Sequence, residues 1–260
     1  MSEQENKTFI LKIYRGTPGN QYWEEFELLL QEGMNIISAL MEIQLNPVTS
    51  NGKKVSPISW EQGCLEEVCG SCSMLINGKP RQACTALIGS LIQEKGSTTI
   101  TLAPFTKFPL IRDLVVNRDS MFDNLKKVHA WVDAEGLYDR GFGPEISPAK
   151  QEVMYELSTC MTCGCCVEAC PQVSSKSKFV GPQIISQVRL FDMHPIGKQL
   201  KPQRMQEMMA PEGINACGNA QNCVRVCPKK IPLTDSIAEV YRDVTLFALK
   251  KLFSLPGRDE

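Results

Sequence analysis

The sequence predicts an α+β protein in two parts, a sheet-bearing N-terminal half followed by a half made of helices and loops. Three observations lead there. Residues 8–14 alternate well enough for a strand, and a second strand-like run follows at 22–30. Beyond residue 106 the apolar residues recur at helical spacing instead. Twelve cysteines gather in three runs, one in the first half and two in the second.

The elements follow in order. Arg15–Gln21 contain Gly16, Pro18 and Gly19 and read as the turn of a hairpin between the first two strands. Met34–Leu45 place Ile36, Ile37, Leu40, Met41 and Leu45 at helical spacing, and Asn46-Pro47 ends that helix. Met74–Ile76 read as a strand entering a turn at Asn77-Gly78, and Thr98–Leu102 as the closing strand. Pro104 marks the edge of the first domain, which is placed at 1–106, with 107–260 as the second. In the second domain, Leu110–Val116 and Phe122–Trp131 are expected helices, and Asp133–Pro148 an irregular loop. Pro148–Leu157 are expected to form a short helix that delivers Cys160, with further helices at Pro182–Phe191 and Gln203–Met209. Ser236 with Glu239 reads as a capping box that opens a helix running to about Phe253.

Composition narrows the function classes. The chain has 260 residues, 43% hydrophobic and 22% charged, as expected for a globular protein. A net charge of −1 gives no support for nucleic acid as a partner. Met1–Lys7 are polar and lack the apolar region of a signal peptide, and no apolar run approaches the ~18 residues of a membrane span. A soluble or peripheral protein is expected. Twelve cysteines without an export signal do not suit a disulfide framework, because cytosolic thiols are kept reduced; metal or cluster ligation is the default reading.

The first run is Cys64-x4-Cys69-Gly70-Ser71-Cys72, with Cys84 after eleven more residues, the plant-type spacing for a [2Fe–2S] cluster. A loop wrapped round sulfide must turn its N–H groups inward, and glycine tolerates the backbone this needs. Two strands, a helix and then cysteine loops is the order of a β-grasp ferredoxin. The second run, Cys160-x2-Cys163-x2-Cys166-x3-Cys170-Pro171, has the bacterial-ferredoxin spacing. The third, Cys217-x5-Cys223-x3-Cys227-Pro228, repeats it with Ala220 in place of one cysteine, and the two runs form an internal repeat with an expected pseudo-twofold relation. In that arrangement the cysteine before proline ligates the other cluster. Cys160, Cys163, Cys166 and Cys227 are therefore expected to hold [4Fe–4S]. Cys170, Cys217 and Cys223 are left with a corner that offers no donor, and [3Fe–4S] is expected there. Fewer thiolates mean less negative charge and a higher potential, which suits the exit of an electron-transfer chain.

Plainer readings apply to other residues. Structural zinc, usually held by tetrahedral C-x2-4-C pairs, fits three-cysteine runs with a crossed fourth ligand poorly. Cys165 fits neither register and reads as a buried, inert thiol. His129 and His194 are read as surface or locally packed residues. Lys229-Lys230 and Lys250-Lys251 are solvated faces by default, with a membrane surface or anchor subunit as the other reading.

The whole pattern resembles the iron–sulfur subunit of succinate dehydrogenase and fumarate reductase, over nearly the full chain. Beyond the cysteines, the resemblance is carried by Gly70-Ser71, 109–116 (PLIRDLVV), 179–182 (FVGP) and Cys227-Pro228-Lys229. It implies a β-grasp plant-type ferredoxin domain followed by an all-helical bacterial-type ferredoxin domain. It also implies membrane-associated electron transport in the tricarboxylic acid cycle. Electrons would pass from a flavoprotein subunit with covalent FAD through [2Fe–2S], [4Fe–4S] and [3Fe–4S] to a cytochrome b anchor with heme b and the quinone pool. The chain would be a peripheral subunit at the cytoplasmic face of the plasma membrane. No acid/base constellation is present, and no catalytic residue is assigned; succinate chemistry belongs to the flavoprotein.

Two departures bear on the acceptor. Ubiquinone-reducing members often carry tryptophan shortly after the first Cys-Pro, where this chain has Gln172–Lys176 with Ser174, one residue shorter before Phe179. They commonly have histidine after the first cysteine of the second run, where this chain has Gly218. Ser174 and Gly218 thus mark the vicinity where a proximal quinone would bind in relatives. Their identity points instead to heme b of a di-heme anchor, with menaquinone as final acceptor. Leu65 stands where relatives usually have arginine. The same role in a quinol:fumarate reductase running in reverse is the alternative. A glycolate-oxidase or heterodisulfide-reductase relative would carry two complete bacterial motifs, which Ala220 and the plant-type run argue against.

Overall fold

The computed structural model describes residues 7–133, 144–174 and 176–253. The chain divides into two compact units. One takes residues up to Arg118 together with Cys163–Ala169; the other takes Asp119–Thr162 and the chain from Cys170 onward.

The first unit is a five-stranded mixed sheet in the order β2-β1-β5-β3-β4. β1 (Thr8–Thr17) and β2 (Asn20–Leu29) form an antiparallel hairpin closed by Pro18-Gly19. The strands continue further into the expected turn than the alternation suggested. Gly16 makes that possible: its φ is 123°, and a Cβ there would lie 2.1 Å from the Asn20 carbonyl oxygen. β1 alternates strictly, with Phe9, Leu11 and Ile13 buried. These residues join a core with Met74 and Ile76 of β3 (Ser73–Ile76), Ile100 and Leu102 of β5 (Thr99–Ala103), and Ile36, Leu40 and Ile43 of α1 (Ile36–Leu45). β5 pairs parallel with β1, which completes the grasp around the helix. Asn35 caps α1, its Oδ1 accepting from the Ser38 N–H at 2.8 Å. β3 turns into β4 (Lys79–Gln82) through Asn77 and Gly78, both at positive φ (50° and 75°), as a tight hairpin turn requires. α2 (Ile88–Lys95), closed by Gly96 in the left-handed conformation, was not anticipated; only Ile88 and Leu91 of it are buried, too few to set a legible helical stripe.

The expected helix at Leu110–Val116 is instead a hairpin of β6 (Leu110–Arg112) and β7 (Val115–Val116). Distant groups decide this. Asp113 sits at the turn with φ 48°, and its carboxylate accepts the N–H groups of Gly16 and Ser59 at 2.8 Å each. Its Oδ1 also lies 3.4 Å from Nε of Arg15, a fully buried guanidinium that pairs with Glu24 at 2.9 Å. A helix through 113 would forfeit this buried network.

The second unit is helical, built from α3 (Asp119–Lys127), α4 (Pro148–Ser158), α6 (Pro182–Met193), α7 (Lys201–Met209), α8 (Asn222–Val226) and α9 (Leu233–Phe253). α5 (Cys165–Glu168) belongs to the first unit. α6 packs against α4, α7 and α9, and Ile184, Ile185, Val188, Met205, Met208, Val240 and Val244 form the core. Arg204 is fully buried and donates to the carbonyls of His129, Trp131 and Gly197 at 2.8–3.0 Å and to Asp192 at 2.7 Å. The expected capping box is absent. α9 begins at Leu233, and Ser236 lies inside it, fully buried, its hydroxyl donating back to the Pro232 carbonyl at 3.2 Å. Most of the loop expected at 133–148 lies outside the described residues. Among the described residues no helix is long and apolar enough to cross a membrane.

Candidate metal centres

The first cysteine loop follows from its backbone. Leu65 (φ 63°), Glu67 (φ 55°) and Gly70 (φ 75°) are all left-handed, and this sequence of turns aims successive N–H groups at sulfur. Cys64 Sγ accepts from the N–H groups of Glu66, Val68 and Cys69 at 3.2–3.3 Å. Cys69 Sγ accepts from those of Cys64 and Ser71 at 3.4 and 3.5 Å. Gly63 is required by proximity, since a Cβ would fall 2.8 Å from Cys69 Sγ. Cys72 and Cys84 are buried, whereas Cys69 is exposed. The Ser71 side chain and the surrounding N–H groups hold the Cys69 thiol down at about 6, while burial pushes Cys72 up to about 12. The loop thus presents N–H donors to negative sulfur, and this donor set fits a [2Fe–2S] core. Among the described residues no three His, Cys, Asp or Glu side chains lie close enough to hold a single metal ion. No disulfide links the twelve cysteines.

Sequence reasoning missed several residues around this loop. Arg118 donates to the Gly70 carbonyl at 2.8 Å, the Ser71 carbonyl at 3.5 Å and the Cys163 carbonyl at 3.4 Å, and pairs with Glu61 at 3.0 Å. Glu168, buried and lying between Cys166 and Cys170 in sequence, accepts from the Thr106 N–H and hydroxyl at 2.9 and 2.6 Å and from the Lys107 N–H at 3.0 Å. A carboxylate between ligand cysteines was a visible signal for Glu168. Nothing in the sequence marked Arg118.

Of the cysteines read as [4Fe–4S] ligands, Cys163 and Cys166 lie in the first unit and Cys160 and Cys227 in the second. Cys165 is fully buried, as expected for a packed thiol. Its hydrogen bond holds Cys163 down at about 7 against the cost of burial, and the same bond together with burial pushes Cys165 up. Gly164 has φ 87°, and a Cβ on it would meet the Phe108 and Phe105 rings at 3.1–3.3 Å.

Cys170, Cys217 and Cys223 meet at one pocket of the second unit. It is also lined by Ala220 and Gly218. Burial raises the Cys223 thiol. Three sulfurs and a methyl around one cavity fit a core with three protein ligands. Gly218 lies against Gln172, whose Nε2 would stand 2.4 Å from a Cβ at 218. Ser174 does not line the pocket; it is exposed, bridged to Ser177.

Comparison with known proteins agrees with this chemistry. Residues 10–123 match the family described as a 2Fe-2S iron-sulfur cluster binding domain, and residues 156–231 match the 4Fe-4S dicluster domain. These two domains in this order define an iron–sulfur electron carrier. The chain is 52% identical to the succinate dehydrogenase iron-sulfur subunit of Bacillus subtilis over 97% of this chain and 98% of that one. It is 33% identical to the fumarate reductase iron-sulfur subunit of Wolinella succinogenes over 69% of this chain and 74% of that one. In fold it is similar to a chain of the Mycobacterium smegmatis Sdh1 complex in the apo form, with a TM-score of 0.78 at 21% identity over 96% of this chain and 99% of that chain. The chain belongs to the iron–sulfur subunit family of succinate dehydrogenases and fumarate reductases. It is an electron-transfer subunit of an oxidoreductase complex.

Proposed function

We propose that the chain carries single electrons from a flavoprotein subunit with covalent FAD to a membrane anchor with heme b, and that menaquinone is the final acceptor. In this reading Cys64, Cys69, Cys72 and Cys84 hold [2Fe–2S]. Cys160, Cys163, Cys166 and Cys227 hold [4Fe–4S], and Cys170, Cys217 and Cys223 hold [3Fe–4S]. The chain sits as a peripheral subunit at the cytoplasmic face of the membrane. Fumarate reduction by quinol uses the same path in reverse. The observation that carries the reading is the pocket lined by Cys170, Cys217 and Cys223 with Ala220 beside them. A methyl group has nothing to offer a fourth iron.

The clusters, when bound, supply the one-electron chemistry; the chain binds and tunes them. The N–H groups of Glu66, Val68 and Cys69 stabilise negative charge on Cys64 Sγ. Burial of Cys72 and Cys84 keeps water from the inner side of the site. Gly218 and Ala220 are exposed residues of the pocket lining, and among the described lining residues there is no imidazole or indole to hold a quinone. This supports heme as the next acceptor.

The test is Ala220→Cys in the assembled complex. The oxidised wild-type protein is expected to show a [3Fe–4S] EPR signal, and the variant to lose most of it to [4Fe–4S]. An unaltered three-iron signal in the variant refutes the corner assignment. An inhibitor titration placing quinone beside Ser174 and Gly218 refutes the heme route.

A further inference from the structure

Gln82, the last residue of β4, is 2% exposed and carries a polar amide into the core beside the first cysteine loop. Cys72 Sγ donates to its Oε1 at 3.5 Å. Its Nε2 donates to Ser73 Oγ at 2.8 Å and to Cys165 Sγ at 3.6 Å, and Ser73 Oγ donates in turn to the Gly70 carbonyl at 2.6 Å. Every donor here has an acceptor, provided Cys72 keeps its proton.

A cysteine bound to iron has no proton. The amide oxygen would then face a thiolate at the same distance, lone pair against negative charge. The two ends of a terminal amide have nearly the same shape, so half a turn about the last side-chain bond exchanges them at little steric cost. After the turn an amide N–H points at Cys72 Sγ. The oxygen is left facing the Ser73 hydroxyl and the Cys165 thiol, each with one proton to turn toward it. Ser73 gives up the Gly70 carbonyl, which keeps its bond from Arg118, and Cys165 gives up Cys163 Sγ, whose charge iron would take over with Cys163 as a ligand.

We propose, on the reading that Cys72 is a [2Fe–2S] ligand, that Gln82 is a positioning residue whose amide donates a hydrogen bond to the Cys72 ligand sulfur, held in that orientation by Ser73 and Cys165. Hydrogen bonds to ligand sulfur favour the more negative, reduced cluster and raise its potential. Donors on the amide oxygen polarise the amide and strengthen the bond that its N–H makes. This gives Cys165 a role without ligation. It is a buried donor standing behind the amide, and it lies 83 residues away in sequence from the side chain it supports.

The experiment uses the assembled complex, labelled with 15N at glutamine side chains. Pulsed EPR of the reduced [2Fe–2S] centre is expected to show a 15N coupling in the wild type that Gln82→Met abolishes. A wild-type spectrum without that coupling overturns the proposal and needs no variant to fold. Redox titration of the same signal is expected to move to a lower midpoint potential in Gln82→Met; an unmoved midpoint overturns the tuning role. Cys165→Ala is expected to move it the same way by less, and Cys165→Ser, which keeps a donor, to restore it. Equal potentials in those two variants overturn the support from Cys165. A wild-type complex with no [2Fe–2S] signal at all overturns the underlying ligation, a failure distinct from a missing 15N coupling.

Discussion

Counted from their first cysteines, the runs that begin at Cys160 and Cys217 bend at the same places. Thr162 (φ 50°) and Gly164 (φ 87°) are left-handed in one, and Asn219 (φ 51°) and Gln221 (φ 58°) occupy the same two offsets in the other. Each run then enters a short helix, at Cys165 and at Asn222. The backbone has therefore kept its course through the run that lost a cysteine, and Ala220 stands where Cys163 stands in its counterpart. The runs differ in what surrounds the second bend. Gly164 is packed under Phe105 and Phe108, where an added Cβ would press on the rings at 3.1–3.3 Å. Gln221 is exposed and lines the pocket of Cys170, Cys217 and Cys223. Turn geometry and ligand identity are thus separable. The bends are set by local backbone choices, whereas the number of cysteines in the run is set by one side chain.

Beyond Ala220→Cys, the change expected to break this parallel most strongly is Gly164→Ala. A left-handed alanine costs about 1–2 kcal/mol, and overpacking against two aromatic rings about 1–3 more. Thermal denaturation and iron content of the complex should both fall, and wild-type values for both would show that the rings yield freely. Gln221→Gly tests the other bend. Relief of a strained φ and the entropy gained by the unfolded chain nearly offset each other, so a change within about 1 kcal/mol is expected, with the [3Fe–4S] signal intact. A loss comparable to that of Gly164→Ala would mean the Gln221 side chain makes contacts the cluster needs.

Gly218→Ala should be milder still. The added Cβ meets only the end of the Gln172 side chain, which can swing aside, so a cost below about 1 kcal/mol is expected. Gly218→His in the same place would test the acceptor, because an imidazole in the pocket lining should make turnover more sensitive to quinone-site inhibitors. Unchanged sensitivity would show that more than this one position keeps quinone away.

The smallest effect concerns pH. His194 Nδ1 accepts the N–H groups of Ile196 and Gly197 at 3.3 and 3.2 Å, and burial lowers its pKa. The unfolded chain therefore takes up a proton first as pH falls. The stability contributed by neutral His194 is present above its ordinary value near 6.5 and is lost as pH falls through that value toward the lower folded one. A slight drop in melting temperature between pH 7.5 and 5.5 is expected, and His194→Asn should flatten it.

Much of the candidate site was legible because cluster loops are local. Ligand spacing, the inward-turning glycines and the missing cysteine are properties of a few consecutive residues, and the first strands and α1 carry periodicities that burial on one face enforces. Leu110–Val116 misled because its apolar residues fit a helical face as well as a short hairpin, and Arg15, Gly16 and Ser59 chose between them through Asp113. Ser236 misled because the cap pattern is indifferent to a helix that has already begun at Leu233.

The sequence by itself determined the order of a plant-type and a bacterial-type cysteine domain, and with it the family and its electron-transfer role. Spacing along the chain is covalent and needs no fold to be read. Only the tertiary structure decided that Gln82 reaches both Cys72 and Cys165, that Arg118 ties the first loop to Cys163, and that Glu168 holds Thr106 and Lys107. These are single polar side chains, Gln82 and Glu168 buried and Arg118 half-buried, far from their partners in sequence, and what fixes them is the need to satisfy hydrogen bonds where water is excluded.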